Sequence, residues 1–389
     1  MTGPLAGRRI VELAGIGPGP FAAMMLSDMG AEVLRVDRAD AVSDSMERPL
    51  WDVNARGRRS VGVDLKYPEG REVVLRLVEQ ADALIEGFRP GVTERLGLGP
   101  DDCLARQPAL VYGRTTGWGQ SGPYAPVAGR DINYVALSGT LSMIGRAGER
   151  PVPPLNLVGD FGGGGLLLAF GIVCGIVESA SSGVGQVVDA AMVDGAALLA
   201  GMMHGLRAAG QWGERGTNLL DTGAWYYEVY ETADGGHVSF GAIDARSRAE
   251  LLRLLELPDG GTDDDAVDGV GTGPVRVAGS RPGMKEQVAA LIRTRTRDEW
   301  CARLEGTDTC FAPVLDPGEA PEHPHNRARG TFTEVGGVVQ PAPAPRFSRT
   351  VPHIAGPPPA PGEHTDEALA AWGFTTADVA ALRRSGAVR

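Results

Sequence analysis

Asp160 stands in NLVGDFGGGG, where a lone carboxylate is followed by four consecutive glycines and a long apolar run. A carboxylate there can cap the helix that follows. It can equally act as an acid, base or nucleophile beside the backbone N–H groups that a helix start leaves free. The residues alone leave both open. A second candidate is the loop AGIGPGP (14–20), which follows an apolar run and precedes Asp37 by twenty residues from Gly17. It invites a dinucleotide-binding reading, but the third glycine of that pattern falls on Pro20. Pro18 and Pro20 also lack the amide donors that a pyrophosphate needs. The loop reads instead as a compact turn closing a strand onto a helix. The basic set Arg38, Arg56, Arg58, Arg59 and Lys66 reads by itself as a solvated loop. His204 on an apolar helix reads as core and His237 as exposed beside a turn, and there is no metal-ligand spacing.

These residues need a scaffold, and composition bounds it. The 389 residues are 43% hydrophobic and 22% charged, an ordinary globular balance with room for about two or three domains. The net charge of −12 argues against a nucleic-acid partner. Only Lys66 and Lys285 among the 37 basic residues are lysines, which we read as codon bias. Cys103, Cys174, Cys301 and Cys310 are scattered, as expected of buried thiols in a reducing, cytoplasmic compartment. The N-terminus has no signal-peptide pattern. The 17-residue apolar run Phe161–Val177, flanked by Asp160 and Glu178, reads as a core helix rather than a membrane span.

The first 115 residues alternate strand and helix: strands at 8–13, 31–37, 81–88 and 109–117, helices at 21–30, 68–80 and 101–106, with an arginine-rich loop before the second helix. That alternation predicts a parallel α/β sheet. Helices at 131–144, 161–178 and 193–210 and a strand at 185–192 follow. A linker at 211–225 leads to a hairpin over 226–243 that turns at Asp234–Gly235, then to helices near 245–256, 283–294 and 297–305 around the acidic loop 259–269. The expected organisation is a large domain over 1–210, a small α+β domain over 226–318, and a proline-rich linker and return over 319–389 that ends in two helices.

Seven stretches stand in order along the chain: VELAGIGPGP, LIEGFRPGVTERLGLGP, TGWGQSGP, PLNLVGDFGGG, GQVVDAAMVDG, PAPRFSRT and GEHT. Together they resemble the family III CoA-transferase superfamily, most closely its α-methylacyl-CoA racemase branch. The resemblance implies a Rossmann-like large domain completed by the returning C-terminus, a small domain, and two chains interlocked as a homodimer. It implies an acyl-CoA thioester as substrate, with no permanently bound cofactor; the carrier could also be an acyl-carrier protein. Asp160 matches the catalytic carboxylate, with Gly162 and Gly163 beside it able to offer N–H groups to an enolate oxygen. Arg38, Arg58, Arg59, Lys66, Arg89 and Arg114 lie at or near CoA-binding positions, and Tyr227 matches an active-site tyrosine.

The chain departs from the branch at one arm. The branch has Gly-His-Asp before DINY, and that histidine is its second acid/base; here the sequence is AGRDINY, with Arg130 followed by Asp131. The histidine's glutamate partner maps to Asp244. A guanidinium, with pKa above about 12, cannot abstract a proton at neutral pH. The arm is therefore expected to have changed its task. Arg130 could hold a substrate carboxylate or steady an enolate, with Asp131 orienting it, and it should lower the pKa of Asp160. Two-base racemisation then gives way to one-base α-carbon chemistry such as cyclisation, aldol-type addition or elimination. The alternatives are a CoA transferase working through an Asp160 anhydride and thioester, and a non-catalytic acyl-CoA-binding homologue.

Overall fold

The computed structural model describes residues 2–43, 45–258 and 283–389. They fall into two compact units. One comprises Met1–Ser138, Leu155–Leu199 and Asn326–Arg389; the other comprises Gly139–Pro154 and Ala200–His325.

In the first unit, strands β1 (Arg9–Leu13), β2 (Glu32–Arg38), β3 (Arg59–Val63), β4 (Ala83–Glu86), β5 (Val111–Thr116) and β6 (Gln186–Ala191) form one parallel sheet in the order β3-β2-β1-β4-β5-β6. Helices α1 (Pro18–Asp28), α2 (Pro68–Val78), α3 (Val92–Arg95), α4 (Pro100–Arg106), α5 (Asp131–Leu137), α6 (Leu167–Ser182) and α7 (Met192–Leu199) alternate with the strands or follow them. Alternate strand residues feed opposite cores, as a two-residue period requires. Val11, Leu84 and Tyr112 join α2's Val74 and Leu77, while Ile10, Ile85 and Val111 join Leu26 of α1 and Leu168 and Ile172 of α6. The C-terminus completes the first of these cores. Leu369 and Trp372 pack into it, and Thr365 Oγ1 accepts the Gly62 N–H at 3.1 Å.

This is the Rossmann strand order. Its winding reverses between β1 and β4, which opens a crevice beyond their carboxyl ends where ligands of such sheets bind.

Three features differ from the sequence reading. Strand β3 lies where the sequence shows only an arginine-rich loop, because two of those arginines are buried in ion pairs rather than solvated: Arg56 with Asp28 at 2.5 Å and Arg58 with Glu12 at 2.8 Å. The helix expected to start after Asp160 begins before it, as a π-helical segment Leu157–Leu166 that runs on into α6. The expected helix over 193–210 is two, α7 and Gly201–Ala208, broken at Ala200. The continuous helix Leu157–Ser182 has 26 residues and contains an 18-residue window of mean hydropathy 1.8, long and apolar enough to cross a membrane. Within the unit its inner face, including Leu168 and Ile172, is buried against the sheet.

The second unit is built on an antiparallel sheet of β7 (Tyr227–Glu231), β8 (His237–Gly241) and β9 (Phe311–Val314). Trp300, Val288, Leu251, Val238 and Phe240 form its core. The hairpin lies where the sequence places it; β9, a short edge strand interrupted by Pro313, was not legible. The acidic loop 259–269 lies outside the described residues. Gly139–Pro154, which the sequence assigns to the large domain, belongs to this unit. Buried Glu228 draws Arg146 to 2.8 Å, and Arg215 donates to the Ser142 carbonyl at 2.9 Å.

Candidate active site

At the crevice between β1 and β4 lies a cleft of about 270 Å³, lined by residues from four neighbouring parts of the first unit. The β1–α1 turn gives Ile16, Gly17 and Pro18, and the segment after β4 gives Gly87, Phe88, Arg89 and Pro90. The end of β5 and the following loop give Thr115 to Trp118, while the α5 region gives Arg130, Asp131 and Tyr134. Asp160 completes it.

The glycine-rich turn has a local reason. Gly17 is the residue before α1, at φ 72°, and a Cβ there would lie 3.2 Å from Asp160 Oδ2. The turn that mimics a nucleotide loop is thus the seat of the carboxylate. The glycines after Asp160 allow close packing. A Cβ on Gly164 would meet Pro18 at 2.8 Å and one on Gly165 would meet Phe21 at 2.7 Å; one on Gly163 would meet the Ala196 amide of α7 at 2.8 Å. Phe161 stacks on Phe21 of α1 with centroids 4.7 Å apart. Gly163 thus packs on α7, and Gly162 lies beside Leu199 and Leu157.

Asp160 itself does not cap the helix. It lies inside the π-helical segment, and Asn156 Nδ2 donates to its Oδ2 at 3.2 Å. Its backbone N–H donates to Asp131 Oδ1 at 2.7 Å, and a Cβ on Gly159 would collide with that same oxygen at 2.3 Å. Burial raises the Asp160 pKa above 3.8, and the Asp131 charge adds to that; the Asn156 bond and the Arg130 charge pull the other way. The expected lowering by Arg130 is present but outweighed.

Arg130 is exposed, and its guanidinium donates to the Gly129 carbonyl at 3.0 Å with no carboxylate partner among the described residues. Asp131 does not orient it. Asp131 is buried, holds the Asp160 amide, and leaves its Oδ2 without a hydrogen-bond partner. Tyr134, in edge contact with Trp118 at 4.6 Å, lies within electrostatic reach of Arg130, Asp160, Arg89 and Asp131. Sequence reasoning passed over Tyr134, Trp118 and Asn156. All three stand inside recognised stretches or next to them, but neither a lone aromatic nor an amide four residues before an acid distinguishes itself from core.

The basic candidates separate by place. Arg38 ends β2, Lys66 follows β3 and Arg89 follows β4, so these three mark the carboxyl edge of the sheet that carries the cleft. Lys66 and Arg89 are exposed, and Arg38 is exposed and paired with Asp40. Arg59 begins β3 at the opposite edge, paired with Glu32. Arg58 is sealed by Glu12 and the Pro20 carbonyl, and Arg114 by Glu86 and Glu94, both at 2.9 Å. Tyr227 and Asp244 belong to the second unit. Tyr227 is the first residue of β7, and exposed Asp244 caps the helix Ala245–Leu254, accepting the Ser247 N–H at 2.9 Å. Those bonds hold the Asp244 carboxyl below its usual pKa.

The family model for CoA-transferase family III matches residues 5–365. The chain is 44% identical to the mouse (Mus musculus) alpha-methylacyl-CoA racemase over 387 residues, covering 97% of this chain and 96% of that protein. It is 42% identical to the human (Homo sapiens) alpha-methylacyl-CoA racemase, covering 96% and 95%. A crystal structure of a CAIB/BAIF family protein from Brucella suis superposes with a TM-score of 0.79 at 26% identity, covering 96% of this chain and all of that one. The chain thus belongs to CoA-transferase family III, a family of enzymes.

Proposed function

We propose that this enzyme performs α-carbon chemistry on an acyl-CoA thioester, with Asp160 as its single base and Arg130 standing where the racemase branch keeps its second one. The observation that carries this reading is the environment of Asp160: burial and Asp131 raise its pKa, which makes it a better base and a poorer leaving carboxylate than an ordinary aspartate. Asp160 takes the α-proton, the C–H electron pair moves into the thioester as an enolate, and the Arg130 cation on the cleft wall favours that charge. Return of the proton from Asp160 restores the starting hand, because a guanidinium cannot serve as the base on the second face. The coenzyme's phosphates fit the carboxyl edge marked by Arg38, Lys66 and Arg89. The similarity to two alpha-methylacyl-CoA racemases favours this reading over a transferase in which Asp160 would be the nucleophile.

Two further parts of the reading rest on other observations. A homodimer would cover apolar side chains left bare on the first unit, among them Phe170 and Val177 of α6 at 65% and 64% exposure, Leu137 and Leu198. Sedimentation showing a stable folded monomer would contradict it. A cytoplasmic location follows from four free, scattered cysteines, and fractionation of cells tests it.

The test of the function is incubation of 2-methylacyl-CoA in heavy water. The wild type should place deuterium at C2, and Asp160→Asn, which can neither take a proton nor attack, should not. Exchange that survives in Asp160→Asn sinks the assignment.

A further inference from the structure

Many arginines among the described residues are matched to acids, even deep inside. Arg58 meets Glu12, Arg56 meets Asp28 and Arg114 meets Glu86. Arg130 is an exception, and it is one in the middle of the cleft. Its guanidinium finds a single backbone carbonyl, although the protein carries an excess of twelve acidic charges. Beside it, Trp118 lines the same cleft and carries a buried Nε1–H with no acceptor. The Trp118 ring lies 3.0 Å from where a Cβ of Gly129 would sit, so the indole packs on the residue whose carbonyl Arg130 bonds. Both groups donate only. A guanidinium with one carbonyl for its five donors and an indole N–H with none call for an acceptor from the ligand, and the charged group calls for an anion.

We propose that the acyl part of the substrate carries a second, free carboxylate, held by the Arg130 guanidinium with the Trp118 indole N–H beside it. This rests on the reading of the cleft as an acyl-thioester site. Asp160 and Asp131 oppose a further anion in the cleft, so Arg130 is what makes such a substrate acceptable, and neutral branched acyl chains gain from it only at the enolate.

The experiment uses three thioesters: 2-methyl-3-carboxypropanoyl-CoA, its one-carbon-longer homologue, and the primary amide of the first. C2 deuteration gives kcat/KM, and calorimetry gives Kd, for the wild type and Arg130→Gln. In the wild type, one of the two acids should bind and exchange about 10- to 100-fold better than the amide, the span of a charge-assisted hydrogen bond. In Arg130→Gln that ratio should fall towards one. Equal handling of acids and amide by the wild type overturns the proposal. So does a ratio that survives in Arg130→Gln, since Arg130 would then act on the enolate alone. If nothing exchanges but an acid still binds better than the amide, the proton-transfer reading fails and the carboxylate site stands.

Discussion

Arginine and acid meet in two regions of the first unit under opposite terms. Inside the sheet, Arg58–Glu12 and Arg114–Glu86 are paired and shut off from water, Arg58 with 0% and Glu12 with 1% of its side chain exposed. In the cleft at the carboxyl ends of the same strands, Arg130 and Asp160 line one cavity without a hydrogen bond between them, and each retains capacity for a ligand. Pairing cancels charge and fixes geometry; its absence leaves charge free to act. The comparison predicts that the interior pairs matter to folding and the cleft pair to turnover, and that the two can be separated by mutation.

The largest separation should come from Asp160→Asn. It should lower C2 exchange by about 10²–10⁴-fold, the usual worth of a positioned base, in a protein that still folds. Next is Arg58→Ala, which strands Glu12 as a buried unpaired charge. It should cost about 3–5 kcal/mol in denaturant unfolding. A loss within experimental error would erase the contrast between the regions.

A smaller effect sharpens the electrostatics of the cleft. Asp131 raises the pKa of Asp160 while holding its backbone amide, so Asp131→Asn should move the acid limb of the exchange profile to lower pH. An unmoved limb would mean that Asp131 only holds the backbone. The same raised pKa has a sign in stability. Folded Asp160 keeps its proton to higher pH than unfolded Asp160, so the native state binds more protons just above 3.8, and wild-type stability falls as pH rises from there through the folded pKa. Asp160→Asn lacks that loss, so it should gain stability relative to wild type across that window, as read by thermal unfolding at stepped pH. The smallest effect belongs to Arg38→Ala at an exposed pair: unfolding unchanged, with weaker CoA-thioester binding at low salt.

How much of this was legible in the sequence follows from the kind of signal each part carries. The alternation of apolar runs gave the parallel sheet, since strand and helix periods differ along the chain itself. Strand β3 was hidden because Arg56, Arg58 and Arg59 look solvated until Asp28, Glu12 and Glu32, distant in sequence, arrive to pair them. Asp160 and Arg130 could be named from the stretches that hold them. Which way the Asp160 pKa moves could not, because burial outweighs Arg130 and burial is a property of packing. What the glycine run packs against was hidden for the same reason: α1 and α7 reach it only through the fold.

The central claim is that one base works here where the racemase branch uses two. It is tested most directly by giving the wild type separate (R)- and (S)-2-methylacyl-CoA in heavy water and following C2 deuteration and stereochemical inversion in the same sample. One-face chemistry at Asp160 predicts deuteration of one enantiomer well ahead of any inversion, and faster inversion once Arg130→His restores a base to the second face. Inversion that keeps pace with deuteration in the wild type, from both enantiomers, would contradict the account and leave a two-base racemase.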